Sequence, residues 1–159
     1  MEKHSLKEII GLLKDRKISE KELLQHYFSR INKFNPSLNA LVSLRSIDEV
    51  LNDLENSKRS SMQKKTKSLF GIPLAVKDLI DVKGLPTTYG VPKYKNNVAK
   101  KNSIIVDRLI DSGALIIGKT NTPEWGLVRK HLIELLALPP IPMMCQKLLV
   151  VLVVVQQRL

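Results

Sequence analysis

Two short apolar runs, residues 74–76 and 114–117, bracket an amphipathic helical segment, and this unit constrains the fold more than anything else in the chain. Neither run is long enough for a helix. Unbroken apolar residues of that length mark strands covered on both faces, the pattern of strands buried between helices. Gly71 and Pro73 bracket the entry to the first run, and Lys77 arrives directly at its end. A loop carrying Gly84, Pro86, Thr87, Thr88 and Gly90 follows. Ser103 then caps a helix marked by Ile105, Val106, Leu109 and Ile110, which Ser112-Gly113 stops. The second run leads into Gly118-Lys119-Thr120-Asn121, which reads as a loop. Strand, helix and strand in this order imply an α/β layer whose chemistry sits on the loops at the strand ends.

The segment before this unit reads as helical. Ser5 with Glu8 and Ser19 with Glu22 have capping-box spacing, and apolar residues recur behind each at helical intervals. The first helix is expected to run to about Asp15. The second, with Leu24, Tyr27, Phe28 and Ile31 on one face, is expected to close at Asn35-Pro36. His26 falls inside it as an ordinary half-buried helical histidine. Residues 38–44 read as a strand and residues 46–54 as a helix capped by Ser46 with Glu49. Residues 56–68 carry five Lys or Arg among Ser, Gln and Thr without an aromatic, which predicts a solvated loop.

A chain of 159 residues with 43% hydrophobic and 26% charged residues is one globular domain, neither disordered nor repetitive. Its +11 formal charge raises contact with phosphates or an acidic surface, but only 4% of residues are aromatic, few for a stacking nucleic-acid groove. One cysteine, Cys145, excludes an internal disulfide and a cysteine-rich zinc site, and three separated histidines make a poor metal site. The polar N-terminus lacks the apolar centre of a secretory signal, and the longest apolar run, residues 148–155, is far below the about 20 residues that span a bilayer. A cytoplasmic protein, with no membrane or nucleic-acid partner, is expected.

Three blocks of sequence carry a family resemblance: Phe70-Gly-Ile-Pro-Leu-Ala-Val-Lys77-Asp78, then Gly84-Leu-Pro-Thr-Thr-Tyr-Gly90, then Gly113-Ala-Leu-Ile-Ile-Gly-Lys119-Thr-Asn-Thr-Pro-Glu-Trp-Gly126. In this order and approximate spacing they resemble the amidase signature hydrolases, over residues 5–127. The resemblance implies an N-terminal fragment of that α/β fold, with a helical N-terminus followed by strands and helices of a mixed sheet. It also implies hydrolysis of a small amide substrate, without metal or organic cofactor, by a Ser, cis-Ser, Lys triad whose base is Lys77 by position. Burial at a strand end suits such a base, because it disfavours the ammonium and leaves an amine able to take a proton from a hydroxyl. The bland alternative for Lys77 is an ion pair with Asp78 or Asp81.

The family's two serines belong to a Gly-Gly-Ser-Ser-Gly-Gly block and a later Gly- and Ser-rich segment that supplies donors for the oxyanion. Residues 128–159 contain no Gly and no Ser. Reading their codons one base over, the Leu149-Val-Val-Leu-Val-Val-Val-Gln-Gln157 stretch can encode Gly-Gly-Ser-Ser-Gly-Gly-Ala-Ala. Met143-Met144-Cys145 forces Asp-Val, and residues 140–147 permit Asn-Pro-Tyr-Asp-Val-Ser-Lys, a stretch that family members commonly carry just upstream of the Ser block. Residues 130–133 likewise permit Thr-Phe-Asn. The chain therefore divides into a truncated amidase-like domain, 1–127, and a tail, 128–159, expected to be out-of-frame translation. Three prolines within residues 139–142 and an uncharged, non-alternating run at 148–155 argue against a designed extension.

On this reading the chain lacks amidase activity, dissolves poorly and is protease-sensitive, with its strands left partly uncovered; a cooperative thermal transition from a purified monomer would count against it. Two alternatives stand beside it. One is the amidase subunit of glutamyl-tRNA amidotransferase, disfavoured because Thr122-Pro123 stands where that subunit usually carries Met-Asp. The other is a small basic RNA- or membrane-binding protein, whose binding would depend steeply on salt.

Overall fold

The computed structural model describes residues 4–61 and 67–126. Part of the basic segment 56–68 and the whole of the tail 128–159, with its expected change of reading frame, lie outside the described residues.

The chain opens with two helices, α1 (Leu6–Lys14) and α2 (Glu20–Leu38), then β1 (Leu41–Leu44), α3 (Ile47–Ser61), β2 (Pro73–Lys77), α4 (Ile104–Asp111) and β3 (Leu115–Thr120). The capping boxes form as their spacing predicts. Ser5 and Ser19 accept from the backbone N–H of Glu8 and Glu22, whose carboxylates accept in return from the cap N–H. Ser46 and Glu49 do the same ahead of α3. Three boundaries before β2 differ from expectation. Helix α2 runs through Pro36 to a left-handed Asn39, because Pro36 falls in the last turn, where the helix loses little more than one N–H. The Asn35 side chain then clamps the exit, donating to the Leu41 carbonyl at 2.9 Å and accepting from its N–H at 2.8 Å. Helix α3 continues to Ser61, taking part of the basic segment, and strand β1 starts at Leu41 rather than 38.

The strands form one mixed sheet in the order β1-β3-β2, with β2 parallel and β1 antiparallel to the central β3. One face buries Leu74, Val76 and Ile116 with Ile9, Leu23 and Val106, and the other buries Ala75, Leu115 and Ile117 with Leu24, Phe28, Val50 and Leu54. Helices thus cover both faces, as the unbroken apolar runs require. The expectation of uncovered strands holds only at the sheet's edges. Strand β3 is paired on both sides, whereas β2 and β1 each pair with β3 alone among the described residues.

Strand β3 does not end at Ile117. It continues through Gly118, Lys119 and Thr120, all buried, so the segment expected as a loop is strand. Its register against β2 slips there: Leu74 faces Ile116, but Ala75 faces Gly118 and Val76 faces Lys119. The extra residue turns Lys119 to the face of Val76 instead of the face of Leu115 and Ile117. Gly118 permits the slip, because a Cβ there would collide with the Ser43 carbonyl oxygen on β1.

Candidate functional site

Strands β2 and β3 are parallel, and their carboxyl ends carry Lys77 and Thr120, which face each other in register. Ligands of open parallel sheets gather at that end, because the loops leaving the strands diverge there. Lys77 is the last residue of β2 and is half-buried. Among the described residues its amine forms no hydrogen bond and no ion pair. Neither Asp78 nor Asp81, the partners of the bland alternative, forms an ion pair with Lys77 among the described residues, and the carboxylate of Asp78 is engaged elsewhere.

That partner is Lys119, which the sequence did not mark out as a site residue. Its side chain is fully enclosed, with Nζ 3.3 Å from Asp78 Oδ1. Nζ also donates to the carbonyls of Ile80 at 2.7 Å and Pro86 at 3.2 Å, and to Thr87 Oγ1 at 3.0 Å. All three ammonium protons can thus be satisfied, as a buried cation requires. Burial pushes the Lys119 amine below the ordinary lysine range, and Asp78 pulls it back. Asp78, itself 1% exposed, accepts in addition from the Thr88 N–H at 3.1 Å and from the Thr88 hydroxyl. Together these bonds fasten both ends of the loop 78–90 beneath the end of β3. A signal for Lys119 was present in the sequence: it stands at the end of an apolar run just as Lys77 does, but only the register slip gives it a carboxylate.

The same loops carry aromatic rings to the strand ends. The Tyr89 N–H donates to the Asp78 carbonyl at 3.0 Å, and the Trp125 N–H donates to the Tyr89 carbonyl at 2.7 Å. Gly90 makes this approach possible, since a Cβ there would lie 2.6 Å from the Thr122 carbonyl oxygen. Tyr89 and Trp125 stack with centroids 5.2 Å apart, and Tyr94 meets both edge-on.

A cavity of about 830 Å³ lies elsewhere, along the amino end of β3 around residues 114–116, with Arg45, Asp53, Lys83 and Asn102 in its lining. Neither Lys77 nor the three rings border it. Among the described residues no group of three or more His, Cys, Asp or Glu could hold a metal ion, and no helix is long and apolar enough to cross a membrane. His26 is half-buried on α2, its ring edge-on to Tyr27 at 5.5 Å, and burial lowers its pKa.

The protein-family comparison matches the amidase family over residues 22–136. An acylamidase from Rhodococcus erythropolis is 36% identical over 122 residues, which are 77% of this chain and 26% of the relative. The A chain of the glutamyl-tRNA(Gln) amidotransferase of Nitrosococcus oceani is 35% identical over 127 residues, 80% of this chain and 26% of the relative. The solved structure of a bacterial aryl acylamidase of the amidase signature family superposes with a TM-score of 0.66 at 28% identity, covering 77% of this chain and 26% of that one. The chain spans about a quarter of the length of the relatives it matches. With the parallel strand pair, the Lys77 block and the family match over most of its described length in agreement, the chain belongs to the amidase signature family.

Proposed function

We propose that this chain is the N-terminal part of an enzyme that hydrolyses carboxamides to a carboxylate and ammonia or an amine, with Lys77 as the base. The observation that carries the reading is the Lys77 amine: it stands at the carboxyl end of the parallel pair, unpartnered among the described residues, while the neighbouring carboxylate is committed to Lys119. A base must present a free lone pair to a hydroxyl, and an amine locked in an ion pair cannot.

In the complete enzyme, Lys77 Nζ takes a proton from the cis-Ser hydroxyl, which takes one from the nucleophilic serine as its oxygen attacks the amide carbon. The tetrahedral intermediate collapses, the C–N bond breaks, and the proton returns through the same relay to the leaving nitrogen. Water then cleaves the seryl ester to release the carboxylate. Neither serine block is present in this sequence, so the chain by itself is inactive, and residues 128–159 are the out-of-frame translation of the region encoding the first block.

Nucleotide sequencing from codon 127, where the sequence resemblance ends, through codon 157 and past the stop tests this directly. A lost base followed by an alternate frame encoding Gly-Gly-Ser-Ser-Gly-Gly is the expected result. Restoring the base should restore amide hydrolysis, and Lys77→Met in the restored enzyme should lower kcat by about 10²–10⁴-fold. An alternate frame that closes within a few codons overturns the reading. The amidotransferase subunit is the second reading, supported by relatives such as the Nitrosococcus protein; a partner-subunit gene beside this one would favour it over a stand-alone amidase.

A further inference from the structure

Three aromatic rings occupy the loops that leave the carboxyl ends of β2 and β3, although only 4% of the chain is aromatic. Tyr89 follows β2 by a loop whose start and end are joined at Asp78, the residue after Lys77, and Trp125 follows β3 in the short turn Glu124–Gly126. Tyr89 and Trp125 stack with an interplanar angle of 18°, and Tyr94 closes the group at 6.0 Å and 5.6 Å from them. Two of the three rings stand on left-handed backbone, with φ of 55° at Tyr89 and 52° at Trp125. Bulky residues avoid that region, and such strain concentrates where a side chain must be aimed. The group is also not folded into either core cluster: Trp125 is 52% exposed, so one face of the ring stack is open.

We propose that Tyr89, Tyr94 and Trp125 form a wall that receives the planar aromatic group of the amide substrate, an anilide or a benzamide, next to Lys77. The choice of an aryl amide rests on the amide-hydrolase reading. Ring geometry supplies the rest: offset-stacked and edge-on contacts favour a flat π-face over a saturated ring of the same size. An aliphatic amide would gain only the apolar area it covers.

Trp125 is the chain's one tryptophan, so its fluorescence reports this group alone. Titrating the full chain with benzamide should give a saturable change, and cyclohexanecarboxamide should bind roughly tenfold more weakly. Tyr94→Leu, which keeps apolar bulk and removes the π-face, should abolish that difference. A linear, unsaturable response, equal affinity for the two amides, or an unaltered preference in Tyr94→Leu would each overturn the proposal. The frame-restored enzyme gives a second measurement: the ratio of kcat/KM for an acyl anilide over an acyl cyclohexylamide should fall in Tyr94→Leu. If that ratio does not move, the rest of the fold covers the rings and the proposal fails, while hydrolysis by the restored enzyme would still uphold the amidase reading. Ring-selective binding with an inactive restored enzyme would instead uphold the ring wall and overturn the amidase reading.

Discussion

The two lysines at the ends of β2 and β3 begin from the same local pattern and meet opposite fates. Each follows an apolar run on a parallel strand, yet Lys77 is half-buried with its amine unengaged among the described residues, and Lys119 is sealed under a loop with four oxygen partners. The difference comes from one extra residue in β3. The slip at Gly118 puts Lys119 on the face of Val76 and within reach of Asp78, the residue just past the end of β2. A lysine's surroundings are thus set by strand parity: one lysine becomes an enclosed structural cation, and the residue of β2 between Val76 and Asp78 has no ion-pair partner among the described residues.

Breaking the enclosed pair should have the largest effect. Lys119→Met leaves Asp78 buried without its cation, and the expected loss is about 3–5 kcal/mol in the opening free energy of β2 and β3, read by native-state hydrogen exchange. Adding Asp78→Asn to that variant should recover part of the loss, because the uncompensated charge is then gone. Lys77→Met should stay within about 0.5 kcal/mol by the same measurement, since no partner is lost. Equal costs at the two lysines would erase the contrast.

Gly118→Ala tests the cause of the parity change. The new Cβ meets the Ser43 carbonyl oxygen, so β1 must move or the slip must relax, at an expected cost of about 1–3 kcal/mol in the same exchange experiment. Protection should fall first at the β1 and β3 amides.

The pH dependence sharpens the comparison further. Because burial lowers the Lys119 pKa, the unfolded chain binds more protons than the folded one between that lowered value and the ordinary 10.5. Stability contributed by this group therefore rises with pH across that window, and the slope should vanish in Lys119→Met but persist in Lys77→Met. The smallest effect is on the acid side. Glu8, Glu22 and Glu49 are held below the ordinary carboxylate value of 4.5 by the backbone N–H and hydroxyl of their cap serines. Their contribution is present above that value and fades as pH falls through the lowered ones; Glu22→Gln should flatten this limb slightly without touching the alkaline one.

Much of this architecture is legible in the sequence. Capping boxes are local, so Ser5, Ser19 and Ser46 announced their helices, and the runs at 74–76 and 114–117 announced strands covered on both faces. The reach of α2 past Pro36 was not legible, because the Asn35 clamp on Leu41 depends on where β1 pairs. Nor was the continuation of β3, since Gly-Lys-Thr-Asn reads as a turn until strands on both sides supply hydrogen bonds.

The sequence by itself determined the βαβ unit and the helical entry, because propensity, capping and apolar periodicity act over a few neighbouring residues; Lys77 came forward as the candidate base only through the family resemblance of its block. Only the tertiary structure decided that Asp78 belongs to Lys119, that Lys77 is left unengaged among the described residues, and that Tyr89, Tyr94 and Trp125 meet at the strand ends. Those outcomes depend on register between strands some 40 residues apart in the chain, and a one-residue slip there exchanges the two faces of a strand.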